Sequence, residues 1–101
     1  MSDLRQNIIE VTNKIDKFLI KTPVLRFDFI DSLCNSEVYF KCENFQHTGS
    51  FKYRAALNAI KSIPNDFKNR GVITHSSGNF AHALSRASYE LNIPCFIIMP
   101  S

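Results

Sequence analysis

Lys52 is the residue whose type and position point most directly to covalent chemistry. The sequence places it two residues after Ser50, a predicted helix cap, and so inside the first turn of a helix. A helix N-terminus carries partial positive charge, which disfavours an ammonium ion there, and Gly49 lets a bound group approach the backbone. Such a lysine suits an amine that attacks a carbonyl to form a Schiff base. The alternative is a solvated surface lysine, the commonest setting for this residue type.

A second candidate site is the run Ser76-Ser77-Gly78-Asn79, which follows a predicted strand and precedes a predicted helix. Ligands of open α/β sheets bind at the carboxyl ends of parallel strands. Backbone N–H groups at a helix start, together with hydroxyls and an amide, form a cradle for a phosphate or a carboxylate. The alternative is a simple helix cap, because Ser and Asn are favoured there whatever the function. A nucleophilic pair of Ser77 and His75 is disfavoured, since the chain has no GxSxG elbow.

Three helices and four strands are predicted to position these residues. Apolar residues spaced by three and four predict the helices, over residues 3–19, 51–63 and 80–91. Ser2 or Asp3 would cap the first helix, and Pro64 would end the second. Runs rich in β-branched and aromatic residues predict the strands, over residues 24–27, 37–42, 72–74 and 93–99.

The stretch from residue 72 to residue 99 is therefore predicted to be a strand, a helix and a strand. Such a unit forms two parallel strands joined by a helical crossover. The chain ends at Ser101, just after a strand and where a further helix is expected. We therefore expect an α/β fold of which this sequence is a truncated part.

The composition is typical of a globular domain. The chain has 101 residues, of which 45% are hydrophobic and 21% charged, and its formal charge is +3. The basic residues, including Lys41 and Arg54, are dispersed, so we interpret them as solvated charges rather than a nucleic-acid surface. No apolar run is long enough to span a membrane, and the first residues do not resemble a signal peptide. We expect no nucleic-acid partner, no membrane association and a cytoplasmic location.

Cysteine and histidine add no further site. The cysteines Cys34, Cys42 and Cys95 form no CxxC pair, and we interpret them as reduced thiols of a cytosolic protein. The three histidines show no ligand spacing, so no metal site is predicted on this chain.

The two candidate sites together resemble those of one enzyme family. Residues 41–59, which include Lys52, resemble the cofactor-attachment region of serine racemase and the serine/threonine dehydratases. Residues 74–79 resemble the asparagine loop of that family, and residues 21–25 resemble its usual opening. These are fold-type II, tryptophan synthase β-like pyridoxal phosphate enzymes, and the resemblance covers nearly the whole chain. Phe80 departs from the pattern, which usually has histidine after the asparagine.

The resemblance implies how a cofactor would be held. Lys52 would attach pyridoxal 5'-phosphate covalently and, once freed, remove the Cα proton of the substrate. Phe51 would pack beside the pyridine ring, and Asn79 would hydrogen-bond the ring hydroxyl. By the same resemblance, the phosphate loop and the metal site of the racemases need residues beyond this sequence. A divalent metal is therefore expected only in a full-length protein.

The resemblance assigns the substrate carboxylate to Ser76, Ser77, Gly78 and Asn79. Ser77 stands where racemases of this group place a second acid or base, on the cofactor face opposite Lys52. Removal of the proton beside a β-hydroxyl leads to loss of that hydroxyl, and then to a 2-oxo acid and ammonia. Return of a proton to the opposite face gives the other enantiomer instead.

The predicted fold is thus α/β, the N-terminal part of the two-domain fold-type II architecture with parallel three-layer sheets. Residues 1–66 would belong to the large domain with Lys52, and residues 67–101 would begin the small domain. The expected enzyme is a dehydratase, with racemisation as a second outcome, that acts on serine, threonine or hydroxyaspartate as a homodimer at full length. The 101 residues alone are expected to be inactive. The alternative is a truncated, non-catalytic α/β remnant that acts as a binding or interaction module.

Overall fold

The computed structural model describes residues 3–101, which form four α-helices and four short strands. The helices are α1 (Leu4–Ile15), α2 (Asp28–Cys34), α3 (Lys52–Lys61) and α4 (Asn79–Glu90). The strands are β1 (Val24–Leu25), β2 (Phe40–Lys41), β3 (Val72–His75) and β4 (Cys95–Ile98). Single 3₁₀ segments lie at Asp16–Phe18, Glu43–Phe45, His47–Gly49 and Asn65–Arg70. This mixture of elements confirms the predicted α/β class.

Helix α1 begins at one of its two predicted caps. The Asp3 side chain accepts a hydrogen bond from the Arg5 N–H at 3.0 Å, which satisfies a free donor of the first turn. Ser2, the other candidate cap, lies outside the described residues. The α-helix ends at Ile15 and continues as a 3₁₀ segment to residue 18, so the helical stretch has nearly the predicted length. Ile15 is buried but Leu4 is 73% exposed, so only the C-terminal part of the apolar face reaches the core.

Strands β1 and β2 pair antiparallel, with Val24 opposite Lys41 and Leu25 opposite Phe40. Both strands are shorter than predicted, and α2, which the sequence did not predict, lies between them. Helix α2 ends at Asn35, which adopts a left-handed conformation with φ of 48°. The expectation of parallel sheets is therefore wrong for this first sheet and holds for the second.

The strand–helix–strand unit (residues 71–98) contains that second sheet, in which β3 and β4 pair in parallel as predicted. Helix α4 is the crossover and packs against β4. Gly71 opens the unit with φ of +78°, and a Cβ on it would lie 2.4 Å from the Pro94 carbonyl oxygen. Glycine is required here because both the backbone conformation and the lack of space exclude a side chain. The close approach lets the Val72 N–H donate to that same oxygen at 2.8 Å.

Helices α3 and α4 pack against each other at the centre of the core. One face of each helix supplies the buried apolar residues, namely Tyr53, Ala56, Leu57, Ile60, Ala83, Leu84 and Ala87. The alanines carry little side-chain bulk, so the two helices can approach closely. Within residues 3–101, no helix is both long enough and apolar enough to cross a membrane.

Candidate functional site

Lys52 is the first residue of α3, which confirms its predicted place in the first turn. Its backbone N–H makes a long hydrogen bond of 3.4 Å to the hydroxyl of Ser50, a buried residue, although the residue directly before the helix is Phe51 and not the predicted cap Ser50. The Lys52 side chain is half-buried, and its Nζ lies 5.0 Å from the centre of the Phe51 ring. The Phe51 side chain is 58% exposed. The amine therefore lies over the face of an exposed aromatic ring.

The turn before Ser50 has an unusual backbone. Thr48 and Gly49 both adopt left-handed conformations, with φ of 64° and 73°. A β-branched residue rarely does so, because its side chain crowds the neighbouring peptide. Thr48 Oγ1 is buried and has no hydrogen-bond partner among the described residues, whereas a Cβ on Gly49 would meet nothing within 4 Å. The turn thus combines strain at Thr48 with open space at Gly49.

The most extensive polar contacts near Lys52 converge on Glu43. Its carboxylate accepts hydrogen bonds from Arg54 Nη2 at 2.8 Å, from Arg54 Nε at 2.9 Å and from the Thr22 hydroxyl at 2.7 Å. The Arg54 hydrogen bonds, aided by the Thr22 hydroxyl, lower the pKa of Glu43 to about 2, although burial opposes the shift. Bidentate pairs of guanidinium and carboxylate are strong and directional. Glu43 is therefore charged near neutral pH, and it joins α3 to the chain before β1.

A second group of hydrogen bonds is made by Gln46, which precedes the strained turn, whereas Arg54 follows it. The Gln46 side chain, from a residue only 3% exposed, donates to the Ile20 carbonyl and accepts from the Ile20 N–H, both at 2.9 Å. Its oxygen also accepts from the His47 N–H at 3.1 Å. In the same region, Lys41 Nζ donates to the Thr22 carbonyl at 2.8 Å. Residues 41–54, which we call the lysine segment, are thus bonded at several points to residues 20–22.

The contacts of Arg54 correct a prediction from composition. Arg54 is not a solvated charge: its side chain is 35% exposed and pairs with Glu43, and the hydrogen bonds that it donates to Glu43 raise the pKa of the guanidinium. The sequence carries no local signal for this pair, because 11 residues separate its members. Tertiary folding alone brings them together.

Ser76, Ser77 and Gly78 connect the end of β3 to Asn79, the first residue of α4. The Ser76 hydroxyl accepts hydrogen bonds from the N–H groups of Gly78 and Ala81 at 3.4 and 3.3 Å, so it supports the loop from within. Ser77, Gly78 and Asn79 are exposed, and a Cβ on Gly78 would meet nothing within 4 Å. The loop therefore presents accessible polar groups at the carboxyl end of β3.

A shallow cavity of about 290 Å³ opens beside this loop. Its lining combines the loop with α4 and the end of β4, through Ser77, Gly78, Ala81, His82, Ser85, Ile97 and Met99. Phe80 lines a different cavity, with Ile60 and Leu84, and packs on the core. The sequence analysis did not single out His82. Helical geometry places residues 80 and 82 about 200° apart around α4, so His82 lines this cavity while Phe80 packs on the core.

The structure groups the predicted site residues in two sets. Lys52 and Phe51 are in contact at the start of α3, and Ser77 and Gly78 line one cavity before α4. The two sets are connected through α3 and α4, which share the core. The packing of these helices therefore fixes the position of one set relative to the other.

Metal ligands and thiols contribute little to either set. Within the part of the chain that the structure describes, no three His, Cys, Asp or Glu side chains are grouped closely enough to hold a metal ion. The thiols of Cys34, Cys42 and Cys95 are free. The chemistry available to the two sets therefore rests on an amine, hydroxyls, an amide and backbone N–H groups.

Comparison with known sequences matches residues 15–101 to a family model described as pyridoxal-phosphate dependent enzyme. The chain is 47% identical over 95 residues to serine racemase of Dictyostelium discoideum, covering 94% of this chain and 29% of that protein. It is 38% identical over 94 residues to L-threo-3-hydroxyaspartate ammonia-lyase of Saccharomyces cerevisiae, covering 93% of this chain and 29% of that protein. The chain thus spans about three tenths of the length of these curated relatives.

Solved structures show the same likeness. The crystal structure of the Dictyostelium discoideum serine racemase matches with a TM-score of 0.90, covering 94% of this chain and 31% of that one. The crystal structure of a threonine deaminase from T.th. matches with a TM-score of 0.83 at 30% identity, covering 98% of this chain and 31% of that one. The backbone described above is therefore similar to part of each of these enzymes.

Proposed function

Because the chain belongs to the family of pyridoxal-phosphate dependent enzymes, we propose that its two sets of site residues serve an ammonia-lyase or a racemase of hydroxylated amino acids. Lys52 would carry the cofactor, and the loop at residues 76–79 would bind the substrate carboxylate. The single observation that carries this proposal is the place of Lys52, at the start of α3 with its amine beside the exposed Phe51 ring.

The residues present fit pyridoxal phosphate. The Phe51 ring offers a flat apolar surface next to Lys52 Nζ. Gly49 leaves open space before the lysine, as Gly78 does before α4. Asn79 is exposed at the helix start, and a side-chain amide there is able to donate to a ring oxygen. An aromatic cofactor with hydrogen-bonding groups on its edge suits this set of residues.

Lys52 would act first as the point of attachment and then as a base. Pyridoxal phosphate, when bound, withdraws electrons and so makes the Cα proton of an amino acid acidic. Once the substrate amine displaces it, Lys52 Nζ would accept that proton. Among residues 3–101, Lys52 forms no salt bridge, so no carboxylate partner has to be displaced before the amine reacts.

Ser77 would act on the other side of the substrate. Its exposed hydroxyl lines the cavity beside the loop, and the hydroxyl of Ser76 is engaged in holding the loop. We propose that Ser77 exchanges a proton with Cα on the face opposite Lys52, which permits racemisation. Loss of a β-hydroxyl after removal of the proton by Lys52 gives the ammonia-lyase outcome.

The substrate class follows from the relatives and from the loop. The relatives and structural neighbours are named serine racemase, L-threo-3-hydroxyaspartate ammonia-lyase and threonine deaminase, which supports serine, threonine or hydroxyaspartate as substrate. Exposed N–H groups at the start of α4 favour binding of the common carboxylate. We also propose a homodimer at full length and a domain division between residues 66 and 67, with Lys52 in the larger domain.

The attachment of the cofactor is tested by absorbance. Purified full-length protein incubated with pyridoxal phosphate is expected to show the visible band of a lysine-linked cofactor, and Lys52→Ala is expected to lose it. Lys61→Ala is the matched control, because Lys61 lies on the same helix with its Nζ 4.9 Å from the ring centre of Phe18. A band that survives in Lys52→Ala contradicts the assignment. A wild-type protein that binds no cofactor favours the alternative, a non-catalytic binding module.

The role of Ser77 is tested by separate assays of racemisation and elimination. In the full-length protein, Ser77→Ala is expected to lose racemisation by about a hundredfold, and to keep most of its elimination, because only the opposite-face proton transfer is removed. Ser85→Ala, which changes another hydroxyl of the same cavity, is expected to leave both reactions unchanged. An equal loss of both reactions in Ser77→Ala would count against an opposite-face role.

A further inference from the structure

We propose that Thr22, Glu43 and Arg54, which we call the latch, position Lys52 for reaction with the cofactor. The inference rests on the proposed function and adds residues that contact neither cofactor nor substrate. In the latch, Glu43 receives two hydrogen bonds from Arg54 and one from Thr22, all between 2.7 and 2.9 Å. Three hydrogen bonds to one charged carboxylate define its position closely.

The latch holds the side of α3 that faces away from the lysine. Arg54 follows Lys52 by two residues, which places the two side chains about 200° apart around the helix. The guanidinium therefore fixes the rotation of the first turn about the helix axis and its position along that axis. The amine stays free beside Phe51. An anchor on the reactive side would occupy the space that the cofactor needs.

The latch fixes one end of the strained turn. Thr48 and Gly49 keep left-handed conformations between Gln46, bonded to Ile20, and Arg54, bonded to Glu43. Such conformations persist where the surroundings fix both ends, and they relax when one end is released. Because the turn leads directly into Lys52, its relaxation would move the amine away from its place beside Phe51.

The latch also pairs the charge that Arg54 carries. Arg54 is paired with Glu43, so its positive charge is largely neutralised close to the start of α3. Glu43→Gln removes both the ion pair and the charge balance. Thr22→Val removes one hydrogen bond only and keeps the ion pair. Glu43→Gln is therefore expected to loosen the first turn of α3 more than Thr22→Val does.

The test measures how fast Lys52 becomes linked to the cofactor. Each protein is purified at full length and mixed with pyridoxal phosphate, samples are reduced with borohydride at intervals, and adducts are mapped by mass spectrometry. Relative to wild type, Glu43→Gln is expected to link Lys52 about tenfold more slowly, and Thr22→Val about threefold more slowly, because small misplacements of a reacting group cost large rate factors. Glu90→Gln, which breaks the surface pair with Arg86, is expected to match wild type.

A second readout separates positioning from simple loss of stability. The visible circular dichroism per mole of linked cofactor reports how rigidly the chromophore is held, and it is expected to fall in Glu43→Gln but not in Glu90→Gln. If Glu43→Gln does not fold, Thr22→Val decides the question by the same two measurements.

The two proposals fail in different ways. Wild-type rates and unchanged dichroism in folded latch variants, with only the melting temperature lowered, would overturn the latch and leave the proposed function intact. A wild-type protein that forms no adduct at Lys52 would overturn the proposed function, and the latch with it.

Discussion

The lysine segment and the strand–helix–strand unit are held in place by different interactions. The lysine segment depends on side chains, through the bonds of Glu43 with Arg54 and of Gln46 with Ile20. The strand–helix–strand unit depends on backbone pairing of β3 with β4 and on apolar residues of α4. Within the unit, the side-chain hydrogen bonds of the loop at residues 76–79 are two long ones to the Ser76 hydroxyl, beside backbone hydrogen bonds from Ser76 to Ile98 and from His82 to Gly78.

This difference matches the tasks that we propose for the two regions. A lysine that must meet one atom of a cofactor gains from several directional bonds that fix its approach. A loop that closes around the carboxylate of a small substrate gains from exposed donors on a lightly held backbone. The two regions therefore differ in how their stability responds to pH and to substitution, and the predictions below test that contrast.

The largest effect is expected where the strand–helix–strand unit begins. Gly71→Ala would force a side chain onto a backbone with φ of +78° and to within 2.4 Å of the Pro94 carbonyl oxygen. We expect a loss of about 3 kcal/mol in the free energy of unfolding, from strain and collision together. Urea denaturation at several pH values is the measurement, and the loss should not vary with pH.

Gly49→Ala is the matched control for that substitution. Gly49 has a similar φ of +73°, but a Cβ there meets nothing within 4 Å. Only the strain of the left-handed backbone applies there, so a loss of about 1 kcal/mol in the free energy of unfolding is expected. Equal losses in the two variants would show that the close approach to Pro94 does not stabilise the unit.

The lysine segment is expected to lose stability in acid through Glu43. The pKa of this carboxylate is lowered from 4.5 to about 2 in the folded protein, so its contribution is complete above pH 4.5 and is lost as the pH falls toward 2. Glu43→Gln should therefore be less stable than wild type by about 2 kcal/mol at neutral pH. The gap between the two proteins should shrink toward zero near pH 2.

The stability of Glu90→Gln, measured over the same pH range, gives the comparison. The pair of Arg86 and Glu90 lies on the surface of α4, and surface pairs contribute little to stability. A constant gap between wild type and Glu43→Gln from neutral pH to pH 2 would contradict the role of the charged carboxylate in the lysine segment.

A smaller and opposite effect is expected from the buried Ser88. Its residue is 2% exposed, and its hydroxyl has no hydrogen-bond partner among the described residues. Because a buried unpaired hydroxyl costs free energy, Ser88→Ala is expected to stabilise the protein by about 1 kcal/mol. Ser85→Ala, at an exposed position of the same helix, should change thermal stability very little. A destabilised Ser88→Ala would show that the hydroxyl has a partner.

The smallest effect is expected at Ser76. Its two hydrogen bonds to the loop are long, so Ser76→Ala is expected to cost about 0.5 kcal/mol, at the low end for a capping residue. Hydrogen exchange of the Gly78 and Ala81 amides should quicken, while those of β3 keep their protection. A loss comparable with that of Glu43→Gln would mean that the loop is held as firmly as the lysine segment.

Local patterns predicted the elements that carry the two sites. The start of α3 at Lys52 and the parallel pair of β3 and β4 each depend on a few neighbouring residues or on one chain reversal. Helix α2 was missed because seven residues are too short to display a helical period. The antiparallel pairing of β1 and β2 joins residues 15 or 17 positions apart around that missed helix, so no local periodicity indicates it.

The latch could not be predicted from sequence. Thr22 and Arg54 lie 21 and 11 residues from Glu43, and nothing in the spacing of charged residues distinguishes this pair from surface charges. Likewise, the positive φ of Thr48 runs against the preference of β-branched residues, so no local rule suggests it. These features arise from contacts between distant parts of the chain.

Mapping the amine that links to pyridoxal phosphate tests the central claim most directly. Full-length wild-type protein would be mixed with the cofactor, reduced with borohydride, digested and analysed by mass spectrometry. We predict that nearly all of the adduct lies on Lys52, with little on Lys61, although both amines lie close to an aromatic ring. An adduct spread evenly over the lysines, or concentrated on any lysine other than Lys52, would contradict the account.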